Sequence, residues 1–456
     1  MSVRQTIKTY LLWLSCIASV AGTASCNSNN EPKLQQVQLV NMQLEQFALS
    51  VKDHPELSAL RFSINNTSPQ GQVENVEPLP YGAQLNKVKL QIVPAVAIAK
   101  VEVAFGEDGA FADWSADREY QIGSDVSVLR LRLSLRTEQH DYYEYVYRVQ
   151  LRRYKFDPET IDWVDTSVSG LPHSVADAYM YAHTRVEDVL ILRSSASGNE
   201  YYSHKGGAFI PLQITGLAAG ERIEQGASYE DILYIYTSSG KIYRLSGTAW
   251  HEVSVGGQIR ALLGVLAPRQ SHLEPRLALI VEQGGMEVFA SYADGKLSTR
   301  GLQVPASFPR RDVHAFGANK TYIGSSLTLI GEQLEGDMPV QSSWYTTGSA
   351  EDWLQLSRTE RPDRRGARPS SVLSLGGTLY RLETVGGLNI YTSEDQGRSW
   401  KKNGDKALPE GISAFASVDI LGYPAPDNTI QLLRGVSVSS AGVMSLLKGR
   451  PKKYDL

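Results

Sequence analysis

The sequence has few cysteines, few methionines and no run of like charges. Its two cysteines and six methionines stand against 39 glycines and 23 tyrosines, a balance that favours strands and turns over helical bundles. The net charge of −4 and the lack of charge runs argue against a nucleic-acid partner, which requires a basic face. Hydrophobic residues make up 42% and charged residues 21% of the 456 residues, as is ordinary for a globular protein.

A long apolar run is also missing, and this decides how the N-terminus is interpreted. Arg4 and Lys8 precede an apolar stretch from Leu11 to Val20, and small residues follow. The apolar part is shorter than the ~20 residues of a membrane-spanning helix. The order of basic, apolar and small residues therefore predicts a cleaved secretory signal over residues 1–25. Without its two basic residues the mature chain has 43 basic and 49 acidic residues, a net charge of −6.

Cys26 lies directly after this predicted signal. The stretch from Thr23 to Cys26 resembles a bacterial lipobox, although Thr23 replaces the usual aliphatic residue. The resemblance implies that Cys26 is lipidated, that residues 26–33 form a linker, and that the protein is anchored to a membrane surface without spanning it. The alternative is an ordinary signal with an incidental cysteine. With Cys16 cleaved off and Cys26 acylated, the mature chain has no disulfide and depends on its core alone.

Residues 34–157 consist of short alternating segments separated by turn signals. Every second residue from Leu129 to Leu135 is leucine, so these side chains share one face of a strand. A second segment repeats the pattern with Val146 and Val149. About seven such strands predict an antiparallel β-sandwich of immunoglobulin-like type. No Cys-Trp-Cys framework is present, so the prediction is a generic sandwich.

Residues 162–456 contain an internal repeat, and residues 156–163 are interpreted as the linker before it. Each copy has an apolar segment, an aromatic anchor and a small polar turn. The anchors follow one another at 41 to 56 residues and are Tyr202, Tyr243, Phe289, Tyr345 and Tyr391. Four copies add a second aromatic residue, expected to pack between sheets: Phe209, Trp250, Trp353 and Trp400.

This spacing predicts the blades of a β-propeller, since a blade is a four-stranded sheet that needs neighbours on both faces. Six blades are counted, the last from a weaker copy near the C-terminus. A seventh would follow if residues 175–184 began a blade whose outer strand came from the C-terminus. The fold class is therefore all-β throughout, with little helix.

One stretch of the repeat matches the Asp-box pattern Ser-x-Asp-x-Gly-x-Ser/Thr-Trp, which is found in sialidases and many other propellers. Its members are Ser393, Asp395, Gly397, Ser399 and Trp400. We expect Asp395 to accept hydrogen bonds from backbone N–H groups of the turn and Gly397 to adopt a conformation that is costly for other residues. Trp400 should pack beneath the hairpin. Turn chemistry explains every residue type, so the box is interpreted as structural.

No catalytic set is found in the sequence. The Phe/Tyr-Arg-Ile-Pro motif that accompanies sialidase activity is missing, and so are a nucleophile elbow, a phosphate-binding loop and a calcium loop. The eight histidines show no metal-ligand spacing. The sequence therefore predicts no catalytic residue, metal or cofactor.

Two connectors between predicted blades are rich in arginine. They contribute a candidate anion-binding rim made of Arg310, Arg311, Arg364, Arg365 and Arg368. Connectors of successive blades emerge side by side on one face of a propeller, where arginines can hold carboxylates or phosphates through forked hydrogen bonds. The alternative is that these loops are simply solvated, because exposed charge is the default for loops.

From residue 34 to residue 456 the chain resembles a family of uncharacterised Bacteroidota lipoproteins, with an N-terminal immunoglobulin-like sandwich and a C-terminal propeller carrying an Asp-box. The resemblance rests on the segments FSINN, VENVEPLPYGAQL, YRVQLRRYKFDPETIDW and GVMSLLKGR. It implies lipidation of Cys26. It also implies a place in the cell envelope at the outer membrane, facing either the periplasm or the cell surface, and it assigns no activity.

Three functions stay open on the sequence alone. The leading hypothesis is a non-catalytic binding or scaffold lipoprotein for glycan or protein ligands, with the membrane as its anchor. A glycan-active enzyme is the second, and it requires two carboxylates and an arginine at the mouth of the central funnel. The third is a structural subunit of an outer-membrane assembly, which requires a large apolar patch on the propeller side.

Overall fold

The computed structural model describes residues 42–454 except 52–54, 68–69, 84, 96–99, 124–125, 137–141, 167, 173–177, 206, 269–272, 322–323, 412–417 and 436–443. The predicted signal and the predicted lipidated linker with Cys26 lie outside the described residues. The described residues form strands, turns and short 3-10 segments, without any α-helix. They accordingly include no helix long and apolar enough to cross a membrane.

The chain divides into two compact units, and the boundary falls between Lys155 and Phe156. Two sheets build the N-terminal unit, one with the order β1-β4-β7 and one with the order β2-β3-β9-β8-β5-β6. In chain order the strands are β1 (Leu44–Val51), β2 (Phe62–Asn65), β3 (Gly71–Asn75), β4 (Leu85–Pro94), β5 (Lys100–Phe105), β6 (Ala112–Asp113), β7 (Tyr120–Ile122), β8 (Val128–Arg136) and β9 (Tyr142–Gln150).

The two sheets of this unit share one hydrophobic core. Phe47 of β1 meets Phe62 of β2 edge to face, with ring centroids 4.9 Å apart, so the contact joins the two sheets. Leu129, Leu131 and Leu133 of β8 are fully buried, which confirms the alternation predicted for that segment. The observed arrangement is a two-layered β-sandwich. The prediction of a purely antiparallel sandwich was wrong at one place, because β3 pairs parallel with β9.

One residue predicted to join this core lies elsewhere. Val146 is only partly buried, whereas its neighbour Tyr147 is fully buried beside Val149. Pairing Val146 with Val149 was wrong because an odd separation places two residues on opposite faces of a strand. The Tyr147 hydroxyl accepts a hydrogen bond from the Leu44 backbone N–H at 2.9 Å, and burial raises the pKa of Tyr147 to about 12.

Six four-stranded antiparallel sheets build the C-terminal unit, and we number them first to sixth in chain order. The first sheet contains β11 (Tyr179–Thr184), β12 (Val189–Ser195), β13 (Gly198–Lys205) and β14 (Ala208–Leu212). The second contains β15 (Ile223–Tyr229), β16 (Ile232–Thr237), β17 (Ile242–Ser246) and β18 (Ala249–Glu252). The third contains β19 (Gln258–Leu266), β20 (Arg276–Gln283), β21 (Met286–Ala293) and β22 (Lys296–Ser298).

The remaining sheets repeat this order of strands. The fourth contains β23 (Arg311–Thr321), β24 (Gly324–Glu335), β25 (Met338–Thr347) and β26 (Leu354–Glu360). The fifth contains β27 (Ser371–Leu375), β28 (Thr378–Thr384), β29 (Leu388–Ser393) and β30 (Lys401–Lys402). The sixth contains β31 (Ile420–Pro424), β32 (Ile430–Gly435) and β33 (Met444–Pro451), and its fourth strand is β10 (Ile161–Thr166).

The sixth sheet is completed by a strand from the start of the unit. Strand β10 pairs antiparallel with β33, so the outermost strand of the last sheet precedes the first sheet in the chain. Asp162 and Trp163, interpreted as linker from the sequence, belong to this strand. The Trp163 indole N–H donates to the Ala407 carbonyl at 2.7 Å. The two ends of the unit are therefore held together within one sheet.

Hydrophobic clusters connect the sheets in cyclic order, and each junction is named by the two sheets that it joins. Separate clusters lie at junctions 1/2, 2/3, 3/4, 4/5, 5/6 and 6/1. Phe209 lies at junction 6/1, Trp250 at junction 1/2 and Trp353 at junction 3/4, which confirms that these aromatics pack between sheets. Trp400 is partly buried at junction 4/5. Each sheet thus buries both faces against neighbours.

Candidate functional site

The first strands of five sheets line a central channel of about 360 Å³. These strands are β11, β15, β23, β27 and β31. Aromatic and polar side chains face this space together, namely Tyr179, Tyr181, Ser228, His314 and Ser374. A concave site that combines ring surfaces with a few hydrogen-bonding groups is the usual form of a small-ligand site.

Two tyrosines of β11 are held in place by the neighbouring strand β15. The Tyr179 hydroxyl accepts a hydrogen bond from the Gly226 backbone N–H at 2.7 Å, and the Tyr181 hydroxyl lies 3.0 Å from Ser228 Oγ. A Cβ atom on Gly226 would lie 2.8 Å from the Tyr181 ring, so only glycine permits this approach. Burial raises the pKa of Tyr179 and of Tyr181, so both hydroxyls stay neutral at physiological pH.

His314 is oriented by a buried carboxylate. Its Nε2 lies 3.1 Å from Asp312 Oδ1. Asp312 also accepts hydrogen bonds from the Ser370 N–H at 2.8 Å, from Ser370 Oγ at 2.6 Å and from Arg364 at 3.2 Å. Burial alone would raise the pKa of Asp312, but the hydrogen bond from His314 and the nearby Arg364 and Ser370 lower it overall. Asp312 is therefore ionised and fixes the His314 ring toward the channel.

The channel lacks the acid pair that a glycosidase requires. Among its lining residues in the described part of the chain, Glu230 is the one carboxylate, and it is exposed. Most glycoside hydrolases use two carboxyl groups about 5–9.5 Å apart across the scissile bond, although sialidases use a tyrosine nucleophile. The described residues also contain no group of three or more His, Cys, Asp or Glu side chains suited to a metal ion. The lining can bind a ligand through hydrogen bonds and ring contacts.

Behind His314, junction 4/5 contains a buried cluster of charged side chains, which we call the ionic network. Its members are Asp312, Glu332, Gln341, Arg361, Arg364, Arg381 and Glu383. Arg361 Nη2 donates to Glu383 Oε2 at 2.8 Å, and Arg381 Nε lies 2.8 Å from Glu383 Oε1. Three arginines and three carboxylates balance one another, as buried charges require.

Burial shifts the pKa values of this network. It raises the pKa of Glu332 although Arg364 opposes the shift. It lowers the pKa of Arg381 to about 10, with Glu383 opposing the change. Burial would also lower the pKa of Arg361, but the hydrogen bonds to Asp363 and Glu383 raise it overall. The arginines stay charged at neutral pH, so their role here is to pair with the acids.

The structure places one predicted rim arginine away from the surface. Arg364 is 3% exposed and pairs with Glu332, Asp312 and, at 3.6 Å, Glu383. The prediction that Arg364 forms part of an exposed rim is wrong because these carboxylates hold its side chain inside junction 4/5.

The other four rim arginines lie closer to solvent. Arg311 and Arg365 are exposed. Arg310 is ion-paired with Glu287, and Arg368 lies 3.7 Å from Asp419. Two of the four therefore already face a carboxylate, which competes with a bound anion for their charge.

The Asp-box residues form a hydrogen-bonded turn between β29 and β30. Asp395 Oδ1 accepts from the Ser399 N–H at 2.9 Å, and Asp395 Oδ2 accepts from Ser399 Oγ at 2.6 Å. Ser393 Oγ donates to Asp395 at 2.8 Å and accepts from the Gly397 N–H at 2.8 Å. Gly397 has a φ of +80°, a conformation that glycine adopts at little cost.

This turn rests on the same junction as the ionic network. Ser357 of the fourth sheet donates to the Gly397 carbonyl at 3.0 Å, and Trp400 packs in the small cluster that contains Ile330. The Arg381 guanidinium lies 4.4 Å from the centroid of the Trp400 ring and 4.5 Å from that of Tyr391, within the range of cation–π contacts. The Asp-box and the arginine-rich connector were two separate predictions from the sequence, and in the structure both lie at junction 4/5.

Sequence analysis missed Asp312, Glu332, Arg381 and Glu383 as members of one cluster. A signal was present, because Arg381 and Glu383 interrupt the apolar strand β28. Charged residues inside a strand buried on both faces need partners. Their partners Gln341, Arg361 and Arg364 lie 19 to 40 residues earlier, and only the packing of the two sheets shows which ones they are.

Comparison with known proteins identifies the family to which the chain belongs. The model of the DUF6242 beta propeller domain matches residues 157–443. No curated protein is detectably similar. Many solved structures match the chain, including three at low identity. YCF48 from Cyanidioschyzon merolae has a TM-score of 0.35 at 12% identity over 64% of this chain and 99% of its own.

A mutant of the Aleuria aurantia lectin in complex with Fucalpha1-6GlcNAc has a TM-score of 0.36 at 11% identity, over 62% of this chain and 98% of its own. The Trypanosoma rangeli sialidase in complex with the inhibitor DANA has a TM-score of 0.28 at 13% identity, over 64% of this chain and 59% of its own. The family model covers more than half of the chain and agrees with the cyclic order of the sheets. The chain is all-β and belongs to the family described as the DUF6242 beta propeller domain.

Proposed function

We propose that the protein is a non-catalytic binding module that holds a glycan in the central channel. In this proposal the six sheets are the six blades of the propeller. The observation that carries it is the composition of the channel, where tyrosine, serine and histidine side chains meet a single exposed carboxylate among the described lining residues. Such a lining offers ring faces and hydrogen bonds to a polyhydroxyl ligand. It provides no acid pair for hydrolysis.

A neutral ligand fits the channel better than an anion. The Arg364 guanidinium, which shares Asp312 with His314, is buried and already paired with Asp312 and Glu332. The exposed Arg310 and the half-buried Arg368 also face carboxylates. We therefore do not place a carboxylate or phosphate ligand at this rim.

The proposal extends to the place of the protein in the cell. We propose that Cys26 is acylated and anchors the chain to the outer membrane, that the N-terminal unit is an immunoglobulin-like spacer, and that the propeller is displayed from the envelope. A labelled-palmitate experiment tests the anchor. Wild type should incorporate label and fractionate with membranes, whereas Cys26→Ala should do neither. Label retained by Cys26→Ala would refute this part of the proposal.

The binding function is tested with the purified protein on a glycan array, followed by calorimetric titration of the ligands that bind. His314→Gln and Ser374→Ala should each weaken binding about fivefold to tenfold, as expected for the loss of a hydrogen bond worth ~1 kcal/mol. Arg300→Ala, which changes an exposed arginine away from the channel, should leave the affinity unchanged.

Hydrolysis of the same glycans is measured in parallel. We expect no products above the background rate with wild type. Turnover by wild type would overturn the non-catalytic assignment, even if the ligand bound in the channel. Binding that survives both channel substitutions would place the glycan elsewhere and refute the channel as its site.

A further inference from the structure

Two grooves lie between sheets, separate from the central channel. The groove at junction 2/3 has a volume of about 270 Å³. Its lining includes Tyr234, Arg244 and His251 from three adjacent strands of the second sheet, and Glu274 and Tyr292 from the third sheet. Arg244 Nη1 lies 2.8 Å from Glu274 Oε1, so an ion pair crosses the groove.

The groove at junction 6/1 has a volume of about 360 Å³. Lys448 of the sixth sheet lines it on one side, and Asp188 and His204 of the first sheet line it on the other. His204 stacks on Phe209 with ring centroids 4.3 Å apart, and its Nδ1 lies 2.9 Å from the Tyr423 hydroxyl. Burial lowers the pKa of His204, so this ring is a neutral hydrogen-bonding group at physiological pH.

The two grooves occupy equivalent places in the repeat. In each groove a cation comes from the third strand of one sheet, Arg244 on β17 or Lys448 on β33. An acid comes from the turn before the second strand of the next sheet, Glu274 or Asp188. A ring comes from the third strand of that next sheet, Tyr292 on β21 or His204 on β13. The same three kinds of group thus recur at two junctions. At junction 2/3 the cation and the acid pair with each other, whereas at junction 6/1 Lys448 pairs with Asp427 and Asp188 with Arg185.

This combination defines the class of ligand. Vicinal hydroxyl groups of a sugar both donate and accept hydrogen bonds, so they match a guanidinium or ammonium donor beside a carboxylate acceptor. The Tyr292 ring offers an apolar face to the C–H groups of a pyranose. In the groove at junction 2/3 the cation and the acid neutralise each other, which selects against a charged ligand. The volumes are at the small end of the roughly 300–1,000 Å³ of ligand sites.

We propose that the grooves at junctions 2/3 and 6/1 are two peripheral sites, each of which binds one neutral pyranose unit. This goes beyond the proposed function, which concerns the central channel alone. A chain with peripheral sites in addition to a channel can hold a branched or extended glycan at several points. Binding at several points raises the apparent affinity above that of any single site.

The test is saturation-transfer NMR on the purified full-length protein with free sugars at millimolar concentration. D-Glucose, D-galactose, D-mannose and N-acetyl-D-glucosamine serve as neutral probes, and D-glucuronate and D-glucosamine as charged ones. At least one neutral sugar should bind. Arg244→Ala combined with Tyr292→Ala should weaken that binding at one groove about tenfold, and Lys448→Ala combined with His204→Ala should remove the other groove's share, so that only binding sensitive to His314→Gln persists. Glu274→Gln is a more conservative substitution in the groove at junction 2/3. Arg222→Ala changes an exposed arginine outside both grooves and serves as the control, with sugar binding unchanged.

Each outcome decides the proposal. A component of neutral-sugar binding that is lost in the groove variants and kept in His314→Gln supports peripheral sites. No binding of any neutral sugar, or binding of charged sugars alone, overturns the proposal. Neutral-sugar binding that is lost in His314→Gln but intact in the groove variants also overturns it, while leaving the channel function in place.

Discussion

Junctions 3/4 and 4/5 are built from opposite chemistry at the same place in the repeat. At junction 3/4 the connector between sheets inserts Phe308, which is fully buried and contacts Phe289, Trp344 and Trp353 at ring distances of 5.0 to 5.8 Å. At junction 4/5 the connector inserts Arg364, which meets carboxylates from both sheets.

The comparison shows that the cyclic arrangement of sheets can be closed without apolar packing at every junction. An apolar junction is stabilised by the area that it removes from water. A buried ionic junction is stable only while every charge keeps its partners, because desolvation costs several kcal/mol per ion. Among the described residues, the apolar cluster at junction 4/5 has three buried members, Ile330, Val372 and Leu379, and the ionic network supplies further contacts between these sheets. Predictions that distinguish the two junctions follow.

The largest effect is expected at the centre of the ionic network. Glu383 is 1% exposed and contacts Arg361, Arg364 and Arg381. Glu383→Ala leaves three buried arginines short of one counter-charge and should lower the free energy of unfolding by about 4–5 kcal/mol. Urea unfolding followed by tryptophan fluorescence measures this.

The matched control is Glu335→Ala, which removes an exposed partner of Arg358 in the fourth sheet. This variant should unfold at the urea concentration of wild type. If Glu383→Ala behaved like the control, the network would contribute nothing to the junction.

The second effect is expected at junction 3/4. Phe308→Ala removes a fully buried ring and should lower the free energy of unfolding by about 3–4 kcal/mol, through lost burial and the cavity left behind. Phe308→Leu should recover most of this loss. The loss should be the same at low and moderate pH, since no charge is involved. A pH-dependent loss would show that the two junctions are coupled.

The third effect is a dependence of the free energy of unfolding on pH. The pKa of Asp312 is held below its ordinary value of 3.8 in the folded state. Its ionised form therefore stabilises the fold above that pH, and the contribution is lost as pH falls through the lowered pKa. Asp312→Asn should cost about 2 kcal/mol at pH 7, as for hydrogen bonds to a charged group.

The difference between wild type and Asp312→Asn should shrink only below pH ~4, near the ordinary pKa of an aspartate. Glu332 titrates in the opposite sense because burial raises its pKa, and the nearby Asp312 carboxylate raises it as well. Asp312→Asn therefore changes the titration of Glu332 too, and both proteins are compared in a Glu332→Gln background. Unfolding free energies measured from pH 7 downward test the prediction. A difference that stayed constant down to pH 3 would show that Asp312 does not act through its charge.

The smallest effect is expected at the Asp-box turn. Asp395 is exposed, and its carboxylate holds Ser393 and Ser399. Asp395→Ala should lower the free energy of unfolding by ~1 kcal/mol, the net value of such hydrogen bonds, with glycan binding unchanged. The same urea titrations and the glycan array measure both. A loss of binding without a loss of stability would mean that the box is a ligand site.

The fold could be read from the sequence where local patterns repeat. Aromatic anchors such as Tyr243 and Tyr391 recur with apolar strands before them, and this spacing predicted the propeller that the family model also matches. The outermost strand β10 was missed in part, because its pairing with β33 joins residues almost 300 positions apart. Short-range patterns carry no information on such a pairing.

Less of the candidate site than of the fold could be predicted from the sequence. An arginine-rich loop is a typical surface feature, so Arg364 was expected in the rim. Its burial depends on Glu332 and Glu383, which come from different sheets. The channel residues Tyr181 and His314 come from the first and the fourth sheet. Their convergence follows from ring closure and not from any motif.

The measurement that tests the ionic junction most directly is a double-mutant cycle between Arg364 and Glu332. Arg364→Met, Glu332→Gln and the double variant are unfolded in urea beside wild type. Because the two side chains form an ion pair inside junction 4/5, we predict a coupling energy of about 2–3 kcal/mol, with the double variant more stable than the sum of the single losses implies. Strictly additive losses would contradict the account, because they would show that Arg364 and Glu332 do not stabilise the junction through their interaction.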